Sequence, residues 1–207
     1  MRETEYRKTI YVANETLEES ECDSFHVDFS RIIRRYRNEF VIITYGTALK
    51  DPEPYGFKRD DIKAFCGSED GFTIQIGCKY YIFINEKMPM LRKNFTFAHE
   101  LGHVILQHPC HINILAMTRE ELLAPEGDYC SFENETNSFA RNQLCPVYAV
   151  KNYLQEKHIK PVIVNGSPIF DDNVVQGVSE NFGISHDAAK VRMGLFQNDC
   201  YHWYGEW

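Results

Sequence analysis

Apolar positions along the chain follow two rhythms. Between residues 28 and 40, Phe29, Ile32, Ile33, Tyr36 and Phe40 fall three and four apart, which predicts a helix with one buried face. Arg31, Arg34, Arg35 and Arg37 take the other side, as a solvated face or a patch for an acidic partner. Residues 41–45 read as a strand, and 46–56, with Pro52 and Pro54, as a loop. Two β-rich runs, 72–76 and 79–85, flank Gly77-Cys78 and predict a hairpin. Pro89 opens a helical stretch that runs to about Gln107 and stops before Pro109. Further helices are expected at about 134–144 and 147–157, each bounded by a proline or a polar run. Two more, at 171–182 and 185–196, meet at Gly183, with Ser185 as N-cap of the second. The expected class is α+β: a small antiparallel sheet followed by a mostly helical core.

Length and charge narrow the picture. The 207 residues suit one domain, with a helix and sheet part at about 25–88, a helical core at about 89–157 and C-terminal helices at about 171–207. No run approaches the length of a membrane span, and the first 23 residues, with seven acids against three bases, lack an apolar signal core. The net charge of −8 argues against a coat for nucleic acid or anionic membrane. Seven scattered cysteines with no C-x-x-C pair read as reduced thiols, which places the protein in the cytoplasm.

The histidines are unevenly placed: of eight, four stand between positions 99 and 111. His99-Glu100-Leu101-Gly102-His103 is an H-E-x-x-H motif inside an apolar helix. Residues four apart advance about 400° around a helix, so His99 and His103 project from one face and two imidazole nitrogens can meet one metal ion. Glu100, turned about 100° from His99, is placed to serve an attacking water instead. A hydrolytic zinc needs a third protein ligand and an open fourth position. The H-x-x-G-x-x-H continuation is absent, since Leu106 and Pro109 hold those places, so the third ligand is expected from the following helix. Spacing leaves Glu133 and Glu135 both open. It favours Glu135, four before the apolar Phe139, and casts Glu133 as a capping acid near the helix start. Cys110 and Cys130 lie between the two helices and are weaker candidates.

The run from Arg92 to His103, with Phe95-Thr96-Phe97-Ala98-His99-Glu100-Leu101-Gly102-His103, followed by Glu135-Thr136-Asn137-Ser138-Phe139-Ala140 and Leu144-Cys145-Pro146, resembles the ImmA/IrrE family of metallopeptidases. That family reads F-T-x-A-H-E-L-G-H, then E-A-N-x-F-A and a leucine-methionine-proline close. Thr136 stands for the usual alanine and Cys145 for the usual methionine. The resemblance covers about residues 92–146. It implies a zincin-like core with Zn2+ held by His99, His103 and Glu135, and Glu100 as catalytic acid/base. It implies a protein substrate, a helix-turn-helix transcriptional repressor above all. Oxyanion donors could come from His108, His111, Tyr129 or Tyr148, and Asn137 could support a ligand histidine.

Two other classes compete. A binding protein or antitoxin-like partner would keep the metal and cleave nothing. Residues 174–192 have the rhythm of a DNA-binding helix-turn-helix, yet residues 170–207 hold six acids against Lys190 and Arg192, so direct nucleic-acid binding is not expected. The aromatic tail from Tyr201 to Trp207 packs on the last helix or serves an interface.

Overall fold

The computed structural model describes residues 3–22, 25, 27–68, 70–110, 128–164 and 167–204. Helix α1 (Glu3–Glu19) was not anticipated from the sequence. Its inward face carries Ile10, Ala13 and Leu17, but also Thr9, Asn14 and Thr16, so the apolar rhythm is diluted. Helix α2 (Phe29–Arg35) starts where Asp28 accepts a hydrogen bond from the Ser30 N–H at 2.9 Å. It ends a turn before the expected Phe40, which instead opens strand β1 (Phe40–Thr44).

The stretch expected to be a loop holds helix α3 (Tyr45–Lys50), capped by the Thr44 hydroxyl, and a 3-10 turn at Glu53–Tyr55. Helix α4 (Arg59–Ser68) follows. Strands β2 (Gly71–Ile76) and β3 (Lys79–Ile84) form the expected hairpin, in register Gly71↔Ile84 to Ile76↔Lys79. Gly77 sits at φ 62° in its turn, a conformation open to glycine at little cost.

The sheet is not purely antiparallel. Its order is β1-β3-β2, and β1 runs parallel to β3 with Phe40 opposite Tyr80. Parallel pairing needs a long crossover, and α3 and α4 provide it. The loop expected at 46–56 allows no such crossover, and the sheet expected to be antiparallel is therefore mixed.

Helix α5 (Met90–Ile105) packs on the sheet through Phe97, Leu101 and Val104. Helix α6 (Asp128–Leu144) lies against α5 on one side and α1 on another. Thr9 and Ser138 share a buried hydroxyl pair at 2.8 Å across the α1–α6 contact. Helix α7 (Val147–Glu156), an unanticipated hairpin of β4 (Val162–Val164) and β5 (Ser167–Ile169), α8 (Asp172–Phe182) and α9 (His186–Tyr204) complete the order. Ser185 caps α9 as expected, its hydroxyl accepting from the Ala188 N–H at 3.2 Å. Val150, Val175, Val178, Phe182, Met193 and Phe196 bury the contact of α7, α8 and α9. Arg192, one of two bases in that pair of helices, is fully buried and donates to Asn142 at 3.3 Å, so it presents no charge to a phosphate. Among the described residues no helix is long and apolar enough to cross a membrane.

Candidate metal centre

The two motif histidines stand one turn apart on α5, at its crossing with α6. Gly102 makes that crossing close: a Cβ there would sit 3.2 Å from Phe139 Cδ1 and Thr136 Cγ2, and 3.3 Å from the Thr136 Cα. The carboxylate that this approach delivers to the histidines belongs to Glu133. Its Oε2 lies 3.2 Å from His99 Nε2 and its Oε1 lies 3.3 Å from His103 Nε2. Among the described residues, His99, His103 and Glu133 form one group of possible metal donors, with ligand atoms within 4.8 Å of one another.

Glu135, the acid expected there, lies elsewhere. Its Oε2 faces His108 Nε2 at 3.5 Å and its Oε1 accepts from the Ser131 hydroxyl at 3.3 Å. The reason is where α6 begins. It starts at Asp128, about six residues before the expected position, so Glu133 is a helix-interior residue rather than a cap. Glu133, Thr136, Asn137 and Ala140 then share the side turned to α5. The signal available in the sequence was the i, i+4 pair Glu133 and Asn137. Asn137 Oδ1 lies 3.1 Å from His99 Nδ1. An amide oxygen can only accept, so His99 carries a proton on Nδ1, and its Nε2, which faces Glu133, is the nitrogen that could bind a metal ion in place of a proton.

Glu100 is buried one residue along from His99 and does not join the donor group. Its Oε2 accepts a hydrogen bond from the Thr73 hydroxyl on β2 at 2.8 Å. Nothing in the sequence marked Thr73, which takes part only because β2 packs along α5.

The electrostatics centre on Glu133. Burial pushes its carboxyl upward, but hydrogen bonds and charge from His103 and His99 outweigh this and hold it well below the usual carboxylate range. Burial likewise opposes charge on His99, and the hydrogen bond to Glu133, the charges of Glu100 and Glu133, and Asn137 together raise it. A buried acid facing two imidazoles calls for positive charge between them. Two neutral nitrogens and one carboxylate suit a divalent zinc-type ion. The donor set therefore fits a metal ion.

Cys66, Cys78, Cys110 and Cys145 are free thiols. Burial pushes the Cys110 thiol up to about 12, and the charges of Glu100 and Glu133 add to this, which disfavours the thiolate a zinc ligand needs. Of the expected oxyanion donors, His108 is buried against His103, whereas the side chains of His111 and Tyr129 lie outside the described residues, as do those of Cys130 and the aromatic tail.

A cavity of about 570 Å³ opens between α5, α6 and α9. Leu91 and Phe95 line it and continue the i, i+4 row that ends in His99. Asn137 and Arg141 line it and continue the row that begins at Glu133. Ala188 and Val191 close its far wall.

Residues 57–193 match the family model described as Peptidase M78, IrrE N-terminal-like domain. Among curated proteins, none matches the chain.

Proposed function

Because this chain belongs to the IrrE N-terminal-like peptidase family, M78, a family of metallopeptidases, we propose that it is a zinc-dependent endopeptidase whose metal is held by His99, His103 and Glu133. The observation that carries this reading is the Glu133 carboxylate seated on both Nε2 atoms, with the Glu100 carboxylate buried beside them. When bound, zinc supplies Lewis acidity for the scissile carbonyl and makes water a stronger acid. Glu100 takes the proton of the attacking water and passes it to the departing amine. The Thr73 hydroxyl holds that carboxylate in place and leaves its other oxygen for the water. Asn137 keeps His99 turned toward the metal position.

The cavity lined by Leu91 and Phe95, the turns of α5 before His99, supports a substrate with bulky apolar side chains, such as a protein segment. By resemblance, that protein is a helix-turn-helix repressor. The free thiols of Cys66, Cys78, Cys110 and Cys145 support a reducing, cytoplasmic setting.

A Glu100→Gln protein tests the reading. It should fold and hold zinc in equal proportion, lose cleavage, and trap the substrate from the native host, with the wild type as control. Normal cleavage by Glu100→Gln removes the assigned role. A wild type that binds zinc and the captured partner but leaves it intact establishes the non-cleaving alternative instead.

A further inference from the structure

Helix α5 ends in a turn that folds the chain back over its own last imidazole. The His108 N–H reaches the His103 carbonyl at 2.9 Å and the Gln107 N–H reaches the Val104 carbonyl at 3.1 Å. Gln107 takes a left-handed conformation at φ 57°. This is a Schellman turn built without the usual glycine. Its result is that the His108 ring lies on the His103 ring, centroids 5.3 Å apart, with the two Nδ1 atoms 3.3 Å apart. Phe132 stacks on the other side of His108, centroids 4.5 Å apart. His108 is 4% exposed, and its carbonyl accepts from the Tyr80 hydroxyl at 3.3 Å.

The proton positions follow from what each group can do. The Glu135 carboxylate accepts only, so the His108 nitrogen facing it, Nε2, carries a hydrogen. A neutral imidazole has one N–H, which leaves His108 Nδ1 as an acceptor. The ring is buried between those of His103 and Phe132, an environment that disfavours a charged imidazole. The nitrogen opposite, His103 Nδ1, must then donate, and a cation seated between Glu133 and His103 Nε2 would take the lone pair that this leaves on Nε2.

We propose that Glu135 and His108 are positioning residues: Glu135 fixes the His108 tautomer, and His108 fixes His103 with its proton on Nδ1 and Nε2 free to bind the metal. This rests on the zinc reading above. It gives the second glutamate of the Glu133–Glu135 pair a role distinct from ligation. Two different acceptors thereby serve the two ligand histidines, Asn137 for His99 and the His108–Glu135 chain for His103.

The test is zinc affinity of the full chain, by competition with a chromophoric chelator, joined to nitrogen-15 spectra of the zinc-loaded protein. The spectra should show His108 neutral with its hydrogen on Nε2. His108→Phe, which keeps the stack on Phe132 but removes the acceptor, should weaken zinc binding by about 10–100-fold. His108→Asn, whose Oδ1 takes the place of Nδ1, should recover most of that loss. Glu135→Leu should fall in the same range, and His108→Phe combined with Glu135→Leu should be no worse than His108→Phe alone, since both act along one chain. Unchanged affinity in His108→Phe overturns the inference, and so does a His108 hydrogen found on Nδ1 in the wild type, a reading that needs no variant to fold. A loss in Glu135→Leu that adds fully to that of His108→Phe overturns it too. If the wild type itself binds no zinc, the metal reading fails, a result separate from a zinc-binding wild type with indifferent variants.

Discussion

Replacing Gly102 by alanine isolates the contact on which the metal centre depends. The new Cβ would stand 3.2, 3.2 and 3.3 Å from Phe139 Cδ1, Thr136 Cγ2 and Thr136 Cα. Carbon pairs settle at about 3.5–4.0 Å, so each contact falls short by about 0.2–0.8 Å. The phenyl ring can turn, but the Thr136 Cα belongs to the α6 backbone, so the helix itself must move. Overpacking of this kind costs about 1–3 kcal/mol. Alanine also returns about 1 kcal/mol of helix propensity. The net expectation is a loss of about 0–2 kcal/mol. Gly194→Ala supplies the reference, because Gly194 lies in α9 with nothing within 4 Å of its built Cβ. It should gain about 0.5–1 kcal/mol. Equilibrium unfolding in urea, without metal, measures both. Glu133 lies one turn before Thr136, so Gly102→Ala should also weaken zinc binding, on the order of tenfold, whereas Gly194→Ala should not. If Gly102→Ala stabilises as much as Gly194→Ala, the two helices are not in tight contact there and the account of the crossing is wrong.

Thr73→Val removes the hydrogen bond to the buried Glu100 carboxylate. A bond to a charged group is worth about 1.5–3 kcal/mol, so turnover of the trapped substrate should fall about 10–100-fold at unchanged zinc content, with Thr73→Ser close to wild type. Equal turnover in the valine form would remove Thr73 from the site. In the metal-free protein, Glu133 is depressed from 4.5 and contributes stability above that value, lost as pH falls. His99 is raised from 6.5 and contributes stability below that value, lost as pH rises through its folded value. Urea midpoints of chelator-treated protein should therefore show a maximum from this pair between pH 4.5 and 6.5, absent in Glu133→Gln. Burial pushes the Cys110 and Cys145 thiols up to about 12, while Cys78 is exposed. A maleimide at about pH 8 should label Cys78 in the native protein and reach the other two only after unfolding. Gln107→Gly should stabilise the protein by up to about 1 kcal/mol in thermal or urea unfolding, because it relieves a left-handed side-chain residue.

The motif helix was legible in the sequence because two histidines, a glutamate and an apolar face all obey one period. The hairpin was legible through its glycine turn and β-branched runs. What failed did so for local reasons. The N-terminal helix buries Thr9, Asn14 and Thr16 beside its apolar residues, and polar residues on an inner face erase the periodic signal. Pro52, Pro54 and the nearby glycines concealed two short helices, and with them the crossover that makes β1 parallel to β3. Glu135 is favoured by its spacing to Phe139 and by the family resemblance, with Glu133 read as a cap at a helix start near 134. Moving that start back to Asp128 turns Glu133 toward the histidines and Glu135 toward His108. Thr73 meets Glu100 only through the packing of β2 on α5, and His108 meets Glu135 only across the α5–α6 contact, and neither contact follows a spacing rule.

Helix α6 presents Glu133 to His99 and His103 and Ser138 to Thr9 of α1, so the two contacts share one helix. Thermodynamic linkage then runs in both directions: whatever free energy α1 lends to the seating of Glu133, a bound ion returns to the docking of α1. Amide hydrogens of α1, well away from any ligand atom, should exchange more slowly once zinc is added. A protein that peeled α1 away would also loosen the metal without touching it.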